Sequence, residues 1–179
     1  MFNVASILFL SLFSFSQNSD LKNKFKDFDG CFRMVQISDG KVIGETRPKI
    51  CDQRFSPNST FKIPLALMGF EKGILKSEDQ VIKWDGKKRD RPEVNQDQTP
   101  ATWIERSVVW VSQWLTPQLT EPTIQKFLKD FSYGNQDFSG GITQAWLDSS
   151  LKISPNEQIN FISNFWQESL PLSKNTFEK

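Results

Sequence analysis

The chain has no histidine among its 179 residues. That absence excludes imidazole as general base, proton shuttle or metal ligand. Two cysteines without a histidine make no convincing zinc site either. The formal net charge is only +1, with lysines spread thinly among acidic residues. A nucleic-acid reader or an anionic-membrane binder would need a basic stripe, so neither partner is expected. No internal repeat or low-complexity linker divides the chain, and its apolar runs are too short for a transmembrane helix.

Aromatic residues, by contrast, are plentiful: six Trp and sixteen Phe. A chain of this length buries one aromatic-rich core and reads as one compact domain, a monomer or weak homodimer. Its first segment is different. Met1 to Ser19 carries no charged side chain, and Val4 to Phe15 is apolar or Ser. With Ser14-Phe15-Ser16 as a small-x-small cleavage site, residues 1–16 are expected to be a signal peptide and residues 17–179 an exported, periplasmic domain. Cys31 and Cys51 fit export. They flank a hairpin, and a disulfide between them would add roughly 3 kcal/mol in the chain-entropy model; two inert thiols are the other reading.

The pattern predicts an α+β chain: a helix, one hairpin, then helices only. Leu21, Phe25 and Phe28 mark a short helix ended by Gly30. Strands are expected at 31–37 and 41–46 around a two-residue Asp39-Gly40 turn, with Ser38 facing Lys41 and Cys31 opposite Pro48. Ser56-Pro57 reads as N-cap and N1 of a helix closed by Gly73, with Pro64 costing a backbone bond or a bend. Residues 83–98 read as an exposed, charged excursion. A helical region follows from Thr99-Pro100 to about Leu115, with Ser107-Val108-Val109 near its middle. Thr120 and Pro122 begin a helix with Ile124, Phe127, Leu128 and Phe131 on one face, and 132–141 is loop. Ser154-Pro155-Asn156-Glu157 is a capping box for a final helix through Ile159, Ile162 and Trp166.

Within this frame Ser59-Thr60-Phe61-Lys62 stands out. A hydroxyl and an amine lie one helical turn apart, and without imidazole the lysine is the available activator of a serine nucleophile. An ordinary lysine is protonated at neutral pH; burial would lower its pKa and make it a base. Taken alone, Ser59 reads as a helix-capping hydroxyl, and Ser107 as a hydroxyl bonded back to the preceding turn. Tyr133-Gly134-Asn135 reads as turn chemistry. Asp137, Asp148 and Glu157 read as solvated surface rather than as paired carboxylates.

Taken together, four segments resemble the class D serine β-lactamases, the oxacillinase family, in family order. They are Ser59-Thr60-Phe61-Lys62, Ser107-Val108-Val109, Tyr133-Gly134-Asn135, and the run from Trp146 to Ser154. The resemblance covers about Gly30 to the C-terminus and implies the β-lactamase/transpeptidase-like fold. It implies Ser59 as nucleophile, its backbone N–H as half of an oxyanion hole, and Ser107 as a proton relay to the departing lactam nitrogen. Lys62 would be the general base, modified by carbon dioxide or bicarbonate to N6-carboxylysine, with no bound metal or other cofactor. Phe61, Val109, Trp146 and Leu151 are the candidates for its apolar surround, Trp146 also as an indole donor to the carbamate. Tyr133 and Asn135 would border the pocket in a structural role. The substrates implied are β-lactam antibiotics.

One part of the family pattern is absent. No Lys-Thr-Gly or Lys-Ser-Gly occurs in the sequence. In the family that motif lies on a strand after the last helix and supplies the substrate-carboxylate site and the second oxyanion N–H. The domain is therefore expected to be incomplete, with the C-terminal strands of the sheet missing and the first strand left as an unpaired edge. Three readings stay open: a β-lactam hydrolase, a sensor-like module that acylates without turnover, and an inactive truncated remnant.

Overall fold

The computed structural model describes Leu21 and residues 23–179 apart from Phe28. The expected signal peptide, residues 1–16, and Phe28 of the expected first helix lie outside these. The Phe25 N–H donates to the Leu21 carbonyl, and the Phe25 ring packs 5.4 Å from Phe32.

Strands β1 (Phe32–Val35) and β2 (Val42–Thr46) form an antiparallel pair. Phe32 stands opposite Thr46 and Met34 opposite Gly44, with a shift that sets Val35 opposite Val42. The register thus differs from the expected one. The Gln36 N–H to Lys41 carbonyl bond encloses four loop residues, 37–40, rather than two, and within that loop the Gly40 N–H donates back to the Gln36 carbonyl. Gly40 takes φ +71°, and Asp39 Oδ1 accepts the Lys41 N–H, which is the chemistry such a loop requires. Among the described residues β1 has no strand on its other side.

Arg47, in the left-handed region, turns the chain into α1 (Pro48–Cys51) with proline in its first turn. This reversal returns buried Cys51 to Cys31, and the structure joins the two in a disulfide with Cα atoms 5.5 Å apart.

The remainder is helical: α2 (Lys62–Glu71), α3 (Pro100–Glu105), α4 (Val109–Leu119), α5 (Glu121–Asp130), α6 (Pro155–Trp166) and the short α7 (Lys174–Phe177). One apolar core holds these helices together, with Leu65 and Met68 from α2, Val111 and Leu115 from α4, and Ile124 and Leu128 from α5 among its buried members. The spacing read for α5 is the face it buries. On α6 the buried residue is Phe161, one that the Ile159, Ile162, Trp166 pattern omits, and Trp166 is 72% exposed. The chain also continues past α6 into α7, whose start is held by Glu71 accepting from Ser173 and Thr176. No helix among the described residues is long and apolar enough to cross a membrane.

Three further expectations are corrected. Ser56 does not cap α2; its hydroxyl accepts from the Lys152 ammonium at 2.7 Å, and a 3-10 turn, Asn58–Phe61, precedes the α-helix. Pro64 falls in the first α-turn, directly after the 3-10 turn whose last bonds run from the Lys62 N–H to the Ser59 and Thr60 carbonyls. The region from Thr99 is two helices, α3 and α4, broken at Ser107, which takes φ +54°. Residues 83–98 are also more than surface. An antiparallel bridge between Ile82 and Gln98 closes their neck, and Val94 is buried with its carbonyl accepting the Trp110 indole N–H at 2.9 Å.

Candidate active site

Ser59 sits in the 3-10 turn that runs directly into α2. Several contacts hold that turn. Thr60 donates to the Pro57 carbonyl through both its N–H and its hydroxyl, and the Asn58 N–H reaches the Trp146 carbonyl at 3.0 Å. Asn58 Nδ2 donates to Asp148 Oδ1, and from α6 Gln158 Nε2 donates to Thr60 Oγ1 at 2.7 Å. Beneath the turn, fully buried Phe61 stacks on Trp146 with centroids 5.6 Å apart, with Phe138 and Tyr133 beside it.

One α-turn further on, Lys62 is 4% exposed. Its Nζ lies 3.2 Å from Ser59 Oγ and 3.1 Å from Ser107 Oγ. Burial, followed by the nearby Arg91 cation, lowers its pKa from 10.5 to about 8. Roughly a tenth of the amine is then neutral at pH 7, against about one in a few thousand for a free lysine. The third corner is Ser107, whose hydroxyl donates to Ser59 Oγ at 2.8 Å. A non-glycine residue in the left-handed region costs energy and is concentrated at functional positions. Here the strained backbone turns the hydroxyl towards Ser59 and Lys62, and it is not bonded back to the preceding turn as expected of Ser107 taken alone.

The other predicted residues serve in different ways. Val109, at the first position of α4, borders with Ser107, Trp110, Val94 and Arg91 a cleft of about 240 Å³. Trp146 and Leu151 are buried. The Trp146 ring lies against Phe61, and its indole N–H makes no hydrogen bond among the described residues. Tyr133 is fully buried between Phe61 and Phe161. Its hydroxyl has no properly formed hydrogen bond, although Thr60 and Gln158 are its polar neighbours, and burial pushes its pKa up. Asn135 is a brace: its side chain donates to the Ser150 carbonyl and accepts the Lys152 N–H, while its own N–H reaches the Lys152 carbonyl. Between Tyr133 and Asn135 only glycine fits, because a Cβ on Gly134 would stand 2.0 Å from the Lys152 carbonyl oxygen.

Glu157 is not merely solvated surface. It completes the capping box with Ser154 and takes two hydrogen bonds from Arg54 Nε and Nη2, which holds its carboxyl below the usual range. Asp148 holds Asn58, and Asp137 accepts the Ser139 N–H. The contributions missed in the sequence are Gln158, Asp148, Lys152 and Arg91. Each acts through a bond to a backbone or side chain between 15 and 98 residues away, and no short motif carries such information. Among the described residues no cluster of His, Cys, Asp or Glu could hold a metal ion.

The family model for the penicillin binding protein transpeptidase domain matches residues 11–173. The chain belongs to this family, in its class D β-lactamase branch. Beta-lactamase OXA-1 of Escherichia coli is 38% identical over 182 residues, covering 98% of this chain and 66% of the relative. Beta-lactamase OXA-9 of Klebsiella pneumoniae is 45% identical over 159 residues, covering 83% of this chain and 57% of the relative. Among solved structures, a class D beta-lactamase from Bacillus subtilis superposes with a TM-score of 0.83 at 37% identity, covering 88% of this chain and 66% of that one. This class D chain therefore spans between 57% and 66% of the length of these relatives.

Proposed function

We propose that this chain opens β-lactam rings through an acyl-enzyme on Ser59. The observation that carries the reading is the triangle of Ser59 Oγ, Lys62 Nζ and Ser107 Oγ, with sides of 2.8, 3.1 and 3.2 Å, built around an amine whose pKa is lowered to about 8. A neutral Lys62 takes the Ser59 proton across the same contact through which the ammonium donates. Ser59 Oγ then bonds to the lactam carbonyl carbon, and its backbone N–H, at the start of a helical segment, is suited to the developing oxyanion. As the carbon–nitrogen bond breaks, Ser107 passes a proton from Lys62 to the leaving nitrogen. Water attack on the ester gives the open acid and restores the Ser59 hydroxyl.

A carbon dioxide adduct on Lys62 fits these residues. The amine is buried and partly neutral, and the Trp146 indole N–H has no other protein partner among the described residues. Such a carbamate would supply general-base chemistry for both acylation and deacylation. An oxidising, exported location, the periplasm, is part of the same proposal and is supported by the Cys31–Cys51 disulfide.

The test is to mix purified protein with a chromogenic cephalosporin and a fluorescent penicillin, with and without bicarbonate, and to locate any label by mass spectrometry. Label on Ser59 with turnover raised by bicarbonate supports the full reading. Stable label without turnover leaves a β-lactam-binding, sensor-like module. No label on Ser59 overturns the proposal.

A further inference from the structure

We propose that Arg91, on the 83–98 excursion, is a positioning residue that holds Ser107 against Ser59. Arg91 Nη2 donates to the Arg106 carbonyl oxygen at 2.8 Å. That carbonyl belongs to the peptide unit immediately before Ser107, the residue held at φ +54°. Arg91 Nε meanwhile donates to Glu93 Oε1 at 2.8 Å, so two bonds fix the plane of one guanidinium. Glu93 lies in the 3-10 turn Pro92–Val94, and that turn is anchored by the Trp110 indole N–H on the Val94 carbonyl. A continuous path therefore runs from α4 through the excursion to the peptide that sets the Ser107 hydroxyl. Arg91, Val94, Ser107, Val109 and Trp110 also border one cleft.

The corner carries other charges, and each is engaged or placed differently. Arg89 is held by Asp85 through two bonds and lies over Trp110, Glu105 pairs with Arg106 at 4.0 Å, and Asp90 borders the cleft. Arg91 is the cation that acts on Lys62. It thus has two separable effects, a clamp on the Ser107 backbone and a positive field at the base.

The role of Arg91 in acylation rests on the acyl-enzyme reading above, whereas its effects on Ser107 and Lys62 do not, and the experiment separates the two. In the full chain, Arg91→Met removes donor and charge, Arg91→Lys keeps the charge with a weaker grip, and Glu93→Gln loosens the guanidinium. Acylation of Ser59 by a fluorescent penicillin should slow on the order of 10- to 100-fold in Arg91→Met. Its pH profile should move to higher pH, and Arg91→Lys should restore the profile and part of the rate. Glu93→Gln should slow acylation less than Arg91→Met does. Independently of any β-lactam, the Lys62 side chain titrated by NMR should show a higher pKa in Arg91→Met but not in Arg91→Lys. Amide exchange at Ser107 and Val108 should quicken at least tenfold in Arg91→Met. If Lys62 titration and Ser107 exchange are unchanged in Arg91→Met, the proposal is overturned, whether or not Ser59 accepts a label. Altered titration and exchange in a chain whose Ser59 takes no label would uphold the positioning role and sink the acyl-enzyme reading alone.

Discussion

Ser107 and Ser59 meet hydroxyl to hydroxyl at 2.8 Å across 48 residues of chain. The contact exists because the helix pair α3–α4 breaks where Ser107 enters the left-handed region. Substitution there separates backbone from side chain. Ser107→Ala keeps the strain and loses the hydroxyl; Ser107→Gly loses both. Acylation should fall by about 10²-fold or more in each. Chemical denaturation should show the glycine variant more stable than the alanine variant by about 1 kcal/mol.

The pH dependence follows from Lys62. Its amine accepts a proton only when neutral, so in carbon-dioxide-free buffer the acylation rate should rise with pH and level off above about 8. Below that value the rate should fall about tenfold per pH unit. The same shift appears in stability. The folded pKa lies below the unfolded value of 10.5, so between about 8 and 10.5 the unfolded chain binds more protons than the folded one. Stability from this group therefore rises with pH across that window. Lys62→Met should abolish both trends, as read by stopped-flow labelling and by denaturation at several pH values.

The disulfide closes a loop of 20 residues at the base of the hairpin. Replacing Cys31 and Cys51 with serine should cost about 3 kcal/mol. Reduction with dithiothreitol should lower the melting temperature of the unmodified protein and leave that of the double variant unchanged.

Gly134 is expected to be intolerant. It takes φ +56°, and a Cβ there would collide with the Lys152 carbonyl. Gly134→Ala should destabilise by about 2 kcal/mol or more, measured by denaturation, because the clash is with backbone that Asn135 itself holds in place.

How much of this was legible in the sequence depends on the range of the interaction. The α6 capping box and the buried face of α5 are local patterns of side-chain type, and both were readable. So was the pairing of Ser59 with Lys62, which is one helical turn of spacing. The break at Ser107 was not, because Val-Val-Trp-Val continues a helix pattern and the strain is held by distant partners. The hairpin register slipped because Gly40 closes a four-residue loop as readily as a two-residue one. Glu157 looked like a surface charge because its partner, Arg54, is 103 residues away.

The turn that carries Ser59 is hung from the far end of the fold. Phe55 bridges Ile153, Asn58 is tied to Trp146, and Gln158 holds Thr60 from a position 98 residues later. The order of synthesis therefore matters. When a ribosome has released α2 and α4, all three members of the triangle exist, yet the turn that carries Ser59 has only its local Thr60–Pro57 bonds and none of the supports from Trp146, Asp148, Ile153 and Gln158. Contacts of such long sequence separation form late, after the cost of closing large loops has been met. The Ser59 turn is set only once the segment through Gln158 has docked, so any reactivity measured at Ser59 reports on completed folding rather than on the local helix that carries it.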